Sequence, residues 1–189
     1  MKVTTKRQKR HLIKQLLWTS SLVFVITGCN ASNKPDSVVT AQTFVGLEER
    51  QNRTELRELV GVDPVRTEWC AAFVNAVLEI ENIPNLHDIE STAPLMARSF
   101  LKWGERVDPA DIQRGDLVVF PRGNSGWQGH VGFFIKEEHG HWIILGGNQS
   151  NEVRYDYFRP SLALGIRRAK YTNITRGNNV GNDRKDGDR

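Results

Sequence analysis

The chain has 189 residues, with 26 lysines and arginines against 22 aspartates and glutamates, for a formal net charge of +4. Six of the basic residues and none of the acidic ones fall in the first 28 residues, so the other 161 carry 20 basic against 22 acidic side chains. The positive excess therefore belongs to the N-terminal segment and gives no reason to expect a nucleic-acid partner. A length of 161 residues fits one domain.

The N-terminus has the features of an export signal. A basic stretch precedes an apolar run over 16–28, and 13 residues are too few for a membrane span, which needs roughly 20. This pattern predicts a signal peptide over 1–28. The exit Ile26-Thr27-Gly28-Cys29 resembles the bacterial lipobox, which implies cleavage before Cys29, its acylation and a membrane anchor. By the same resemblance, an asparagine and not an aspartate at position 30, directly after Cys29, implies that the protein is sorted to the outer membrane and faces the periplasm. The alternative is an ordinary signal peptide with a chance cysteine.

The rest of the chain divides by composition. The polar stretch 29–39 predicts a flexible tether, and 171–189, rich in Asn, Gly, Asp and Arg, predicts a disordered tail. A single domain is expected over 40–170.

Helical patterns precede strand patterns within this domain, which predicts an α+β fold with N-terminal helices packed on a small antiparallel sheet. The expected helices are one capped by Thr40 that carries Phe44, Val45 and Leu47, one capped by Asn52 and ended by Gly61, one led by Cys70, and one from Pro94 to Trp103. The expected strands cover 117–120, 131–135, 142–145, 153–158 and 164–168.

Three residues are candidates for nucleophilic chemistry. Cys70 is the first residue of an apolar helix. The chain has only one other cysteine, Cys29, so Cys70 has no disulfide partner if Cys29 carries lipid. His130 opens a strand, and Asn148 lies near the end of the next one. A three-residue loop of Glu138, His139 and Gly140 would set His130 opposite Asn148 and Gly132 opposite Gly146. The two glycines would then leave room for the Cys70 helix.

The chemistry follows from these positions. A helix N-terminus and a neighbouring imidazolium both favour a thiolate at Cys70. The sulfur would attack an amide carbonyl, His130 would take and return the proton, and Asn148 would hold the imidazole tautomer. The Cys70 peptide N–H is a candidate oxyanion donor. Taken singly, each residue also fits a structural role: a buried core cysteine, a satisfied histidine, a turn asparagine.

Other candidates have weaker support. Trp127 and Gln128, just before His130, could line a substrate groove. His87, His139 and His141 are expected in loops or at the surface, and no spacing predicts a metal site or another cofactor.

Three separated motifs carry a resemblance to a known family. The segments EWCAAFVNAVL, GDLVVFPRGNSGWQGHVGFFI and ILGGNQSNEV resemble the CHAP family (cysteine, histidine-dependent amidohydrolase/peptidase) over about 44–168. The resemblance implies a papain-like fold, cleavage of amide bonds in peptidoglycan, and Cys70 and His130 as nucleophile and base. Many CHAP domains have a glutamate two residues before the asparagine. Here that position is Gly146, so only Asn148 would orient the histidine.

The first interpretation is therefore a lipid-anchored peptidoglycan hydrolase, either an N-acetylmuramoyl-L-alanine amidase or an endopeptidase. The second is a non-enzymatic lipoprotein that binds the cell wall or an envelope partner, and the third is a cysteine acyltransferase or deamidase. The bond that is cut, the need for an activator and the oligomeric state have no signal in the sequence.

Overall fold

The structure is a computed structural model that describes residues 36–90 and 92–170. The predicted leader, Cys29 and the predicted tail at 171–189 lie outside the described residues, as does most of the predicted tether.

Three α-helices come first among the described residues: α1 Ser37–Gln42, α2 Arg53–Val60 and α3 Cys70–Ile80. The helix α1 begins before the expected cap at Thr40, because the Asp36 side chain accepts hydrogen bonds from the peptide N–H groups of Val38 and Val39. Val38 is fully buried. Ser37, Val38 and Val39 therefore lie in a helix and not in a tether.

The helix α2 agrees with the sequence pattern, with Asn52 as its N-cap and Gly61 in the left-handed conformation at its end. The Asn52 carbonyl accepts from the Leu56 N–H within the helix, whereas its side chain makes no capping bond and accepts from the Glu48 N–H instead.

The helix expected from Pro94 to Trp103 is a shorter 3₁₀ segment, Ala97–Lys102. Its buried residues are three apart, Ala97 and Phe100, followed by Trp103. A 3₁₀ helix has three residues per turn, so this spacing puts all three side chains on one line toward the core.

Six strands form one antiparallel sheet in the order β1-β6-β2-β3-β4-β5. Their bounds are β1 Glu105–Val107, β2 Leu117–Pro121, β3 Gly129–Glu138, β4 His141–Gln149, β5 Glu152–Phe158 and β6 Gly165–Arg168. The five expected strands are all present, and the short β1 adds an edge. The predicted α+β class is confirmed.

Both faces of the sheet are covered. Alternate residues of β2 point to opposite sides, so Leu117 and Val119 pack with the helices while Val118 and Phe120 join a second cluster. This explains why the strand is a continuous apolar run. The helix α3 packs on β3 and β4, which places Cys70 next to the strand that carries His130.

Candidate active site

Cys70 is the first residue of α3, and its side chain is 3% exposed. The thiol sulfur lies 4.0 Å from the Gly129 carbonyl oxygen, to which it donates, and the Val131 N–H hydrogen-bonds to it. Those two peptide groups flank His130. The structure therefore places the thiol against the backbone of the predicted base.

His130 is buried near the start of β3 and is held on one ring face and at one ring nitrogen. Its ring stacks on Phe158 with centroids 5.4 Å apart, and Phe158 stacks in turn on Phe120 at 4.4 Å. The Nε2 atom lies 2.9 Å from the side-chain oxygen of Gln149, not from Asn148. The third member of the cluster is therefore the residue after the predicted one.

The hydrogen bonds of Gln149 fix the imidazole tautomer. Its side-chain nitrogen donates to the carbonyl oxygens of Ile144 and Arg154, so its Oε1 atom faces His130. An amide oxygen only accepts, and Nε2 of His130 must then carry the proton. The Nδ1 atom keeps a lone pair, which is what a general base requires.

The β3–β4 hairpin differs from the predicted one at its turn. Glu138 pairs with His141 across a two-residue loop of His139 and Gly140, whose φ angles of 50° and 73° are those of a type I′ turn. The expected three-residue loop is therefore wrong. A bulge at Ile135 then shifts the register by one residue.

Beyond this bulge, Phe133 pairs with Leu145, which is the pairing that the predicted hairpin requires. The predicted register therefore holds next to the site, although the turn from which it was derived does not occur.

A second bulge, in β4, displaces Asn148 from His130. Gly147 and Asn148 together face the single residue Val153 of β5, because the pairing passes from Gly146–Arg154 to Gln149–Glu152. Asn148 has φ of 59°, in the left-handed region. An extra residue in a strand reverses which side chains face which side, so Gln149 points to His130 and the Asn148 amide donates to Glu68.

The glycines around the site have roles other than the predicted ones. A Cβ on Gly146 would lie 3.2 Å from Oε1 of Gln149 and 3.3 Å from Nε2 of His130, so this glycine makes room for their hydrogen bond. A Cβ on Gly132 would meet Ile144 and Leu145 of the same sheet. The helix approaches Gly147 instead, where a Cβ would lie 2.5 Å from Trp69 and 2.6 Å from Phe73.

Burial keeps both reactive groups neutral. It raises the pKa of the Cys70 thiol, against smaller lowering effects of the Val131 N–H and the Arg122 charge. It lowers the pKa of His130 from 6.5 to about 4, although the hydrogen bond to Gln149 opposes this. Burial therefore opposes the thiolate that the sequence pattern predicts, because desolvation of Cys70 outweighs the hydrogen bonds and the Arg122 charge that favour it.

A polar cluster of Glu68, Arg122 and Asn148 lies beside these groups. One carboxylate oxygen of Glu68 accepts from the Arg122 guanidinium and from the Asn148 amide. Both charges act on Cys70 and on His130. The ion pair itself is accessible to solvent, since the side chains of Arg122 and Glu68 are 41% and 65% exposed.

The loop before His130 carries the two predicted substrate-binding residues. Trp127 is 64% exposed, the most exposed of the large apolar side chains among the described residues. Gln128 is exposed as well, and its carbonyl accepts a hydrogen bond of 2.7 Å from Arg98, which also donates to the Ser125 carbonyl. Arg98 thus holds the loop from beneath and leaves the indole facing solvent.

Sequence reasoning missed four residues here: Gln149, Glu68, Arg122 and Arg98. Only Gln149 had a usable signal, since the run Gly146-Gly147-Asn148 is rich in residues that tolerate a bulge. Glu68 and Arg122 are 54 residues apart, and no local pattern reveals such a contact.

Residues 36–90 and 92–170 meet the requirements neither of a metal site nor of a membrane-spanning helix. These residues contain no group of three or more His, Cys, Asp or Glu side chains placed to hold a metal ion, and none of their helices has the length and apolar character of a membrane span.

The described residues thus form an α+β domain in which a thiol at the head of a helix lies against the sheet that carries a histidine and a polar amide. Neither a family model nor a curated protein matches this sequence. Solved structures with a similar fold do exist.

Three of these structures come from bacteria. An NlpC/P60 family protein from Bacillus cereus is 19% identical over 70% of this chain and 39% of its own, with a TM-score of 0.45. A protein similar to a lipoprotein of the NLP/P60 family from Staphylococcus aureus is 16% identical over 86% of this chain and 48% of its own, with a TM-score of 0.49.

The peptidoglycan hydrolase RipB from Mycobacterium tuberculosis is 16% identical over 88% of this chain and 84% of its own, with a TM-score of 0.39. This chain therefore spans less than two thirds of the first two structures. None of the three carries the CHAP name, and the CHAP resemblance of the motifs stays a prediction.

Proposed function

We propose that this protein is a cysteine hydrolase that cleaves an amide bond of peptidoglycan. The observation that carries the proposal is the joint placement of Cys70, His130 and Gln149 on a helix and two strands that pack together. The thiol lies against the backbone of His130, and Gln149 leaves Nδ1 of that histidine unprotonated. This tautomer leaves the nitrogen available to accept a proton, as a general base requires.

The reaction begins from a neutral pair. As the Cys70 sulfur bonds to the amide carbon, Nδ1 of His130 takes the thiol proton, so the imidazolium and the tetrahedral oxyanion form together. The imidazolium then gives its proton to the amide nitrogen, the C–N bond breaks and an amine leaves. Water, deprotonated by the same nitrogen, hydrolyses the thioester, releases a carboxylate and restores the thiol.

The start of α3 supplies the electrostatic stabilisation of the tetrahedral oxyanion. The peptide N–H of Cys70 lies in the first turn of the helix, where N–H groups lack helical partners and the dipole favours negative charge. The Trp69 side chain makes no capping bond. This N–H is the proposed oxyanion donor.

The substrate class rests on the resemblance of the three motifs to the CHAP family. The exposed indole of Trp127, with Gln128 beside it, is the proposed contact for the glycan or peptide strand. We place the protein on the outer membrane, facing the periplasm and anchored through lipidated Cys29, with peptidoglycan as its partner. Mass spectrometry of the products of peptidoglycan digestion distinguishes an amidase from an endopeptidase.

One observation favours a second candidate, a wall-binding protein without catalysis. The thiol is 3% exposed and burial raises its pKa, which is the condition of an inert structural cysteine. In that case Trp127 would bind the wall and Cys70 would serve only as core.

Digestion of purified peptidoglycan separates the two candidates. The chain should begin near residue 30, since a start at Thr40 would remove the cap and half of α1. Cys70→Ser and Cys70→Ala are the matched variants, and mass spectrometry of the soluble products identifies the bond.

Fragments that appear with wild type and vanish with both variants would establish the hydrolase. Retention of wild type and both variants on insoluble peptidoglycan, with no fragments from any of them, would establish the binder.

A further inference from the structure

The Asn148 side chain has a partner that the proposed reaction does not use. Its Nδ2 atom donates to Oε2 of Glu68, a residue 80 positions earlier in the chain. We infer that Asn148 and Glu68 are positioning residues that set the orientation of His130 through Gln149. The catalytic consequence of this role rests on the proposed function, whereas its effect on the imidazole does not.

The bulge decides which residue reaches the histidine. Side chains alternate along a strand, so a regular β4 would turn residue 148 toward the face of Gly146 and send Gln149 to the opposite face. The extra residue reverses this, and Gln149 meets Nε2 of His130 at 2.9 Å. The tautomer of the base therefore depends on the bulge.

The two residues before Asn148 have no side chain that restricts their own φ and ψ angles. Gly146 and Gly147 precede Asn148, and glycine adopts many conformations at low cost. Asn148 itself takes φ of 59°, which asparagine tolerates better than most residues. The hydrogen bonds from Gln149 to the carbonyls of Ile144 and Arg154 fix its amide group. They can form only when the bulge has already placed the Gln149 side chain on the face of the sheet that carries His130.

Glu68 supplies the missing constraint. It lies two residues before Cys70, in the segment that leads into α3, and its carboxylate also accepts from Arg122, which directly follows β2. Asn148 is 8% exposed, so the donor end of this charge-assisted hydrogen bond is buried, whereas the Glu68 side chain is 65% exposed. The bond thus ties the bulge to the segment that carries the nucleophile.

The test measures the imidazole directly. In the whole chain without its predicted leader, ¹⁵N shifts of His130 across a pH titration report which ring nitrogen carries the proton. Asn148→Gly keeps a residue that accepts the left-handed backbone and removes the bond, and Glu68→Ala removes its acceptor. Glu68→Gln keeps an acceptor oxygen, Arg122→Gln removes only the ion pair, and Gln149→Met removes the bond to His130 itself.

We expect one tautomer, with the proton on Nε2, in wild type, Glu68→Gln and Arg122→Gln. Asn148→Gly and Glu68→Ala should give the mixed tautomers of Gln149→Met. On a cleavable substrate these three variants should lose kcat/KM by up to about a hundredfold, mostly through kcat, since a base misplaced by about 1 Å costs that much.

A wild-type tautomer in both Asn148→Gly and Glu68→Ala would overturn the inference. Thermal unfolding accompanies each spectrum, and Glu68 is exposed enough to change without loss of the core. If the tautomers shift as expected while wild type cuts no peptidoglycan, the positioning role stands and the proposed function fails. If wild type cuts peptidoglycan while the variant spectra are unaltered, the proposed function stands and the positioning role fails.

Discussion

Nε2 of His130 donates a hydrogen bond of 2.9 Å to Oε1 of Gln149. This contact exists because a bulge adds one residue to β4 opposite β5 and so turns Gln149 toward His130. The amide of Gln149 is fixed in turn by two carbonyl oxygens. A neutral amide therefore orients the His130 ring and adds no charge next to this buried group. Each feature of this contact leads to a measurement.

Replacing the amide by a carboxylate should reverse the electrostatics of the site. In Gln149→Glu the new negative charge faces the imidazole, and an opposite charge within 4–6 Å raises a histidine pKa by about 1–3 units. We expect the His130 pKa to rise well above the wild-type value of about 4. NMR titration checks this, with Gln149→Met as the uncharged control, and an unchanged pKa would contradict the contact.

Stability should depend on pH through His130. Its pKa is about 4 in the folded protein and near 6.5 in the unfolded chain, so the unfolded state gains a proton first as the pH falls. The stabilisation is complete above pH 6.5 and decreases until about pH 4. Between pH 7 and pH 4 wild type should lose about 3 kcal/mol more than His130→Gln in urea unfolding. Equal losses would show that the ring is not buried in its neutral form.

Alkylation of Cys70 should be slow at neutral pH. Burial raises the pKa of this thiol and leaves it 3% exposed, and only the thiolate reacts readily. The rate with iodoacetamide should rise through pH 9 without a plateau near pH 6–7. The urea-unfolded chain is the control and should react faster at every pH. Rapid labelling of the folded protein at pH 6 would indicate a preformed thiolate–imidazolium pair.

The contact between α3 and β4 should tolerate no side chain at Gly147. In Gly147→Ala the added carbon would lie 2.5 Å from Trp69 and 2.6 Å from Phe73, both fully buried. Overpacking of this kind costs about 1–3 kcal/mol. Gly126→Ala is the matched control, because nothing lies within 4 Å of its Cβ position. Chemical denaturation compares the two, and similar midpoints would refute the close approach.

Removal of the exposed indole should weaken substrate binding alone. Trp127→Ala takes away a surface aromatic without disturbing the core, so we expect KM for peptidoglycan fragments to rise about fivefold or more while kcat is retained. Tyr157→Ala, which removes another exposed aromatic side chain, on β5, is the comparison. Equal effects in both variants would remove Trp127 from the binding surface.

Local patterns in the sequence predicted much of the fold and two members of the candidate site, Cys70 and His130, which the structure brings together. Apolar spacing and turn residues gave the helix at Asn52, the helix led by Cys70 and five strands, because helical and strand periodicities differ and each element must bury one face. The same periodicities predict that Cys70 lies at the start of a helix and that His130 lies on a strand later in the chain. The first helix begins before its predicted cap at Thr40, because Asp36 caps it from within the polar segment.

Tertiary structure decided the rest. The two bulges, at Ile135 and at Gly147–Asn148, depend on pairing between strands, and a shift of one residue changes which side chain reaches His130. The pKa values of Cys70 and His130 depend on burial, which only the packing of the helices on the sheet creates. The sequence by itself determined which reactive groups the protein has and on which elements they lie. Packing determined that Gln149 and not Asn148 contacts the His130 ring, because the pairing with neighbouring strands sets the face on which each side chain lies.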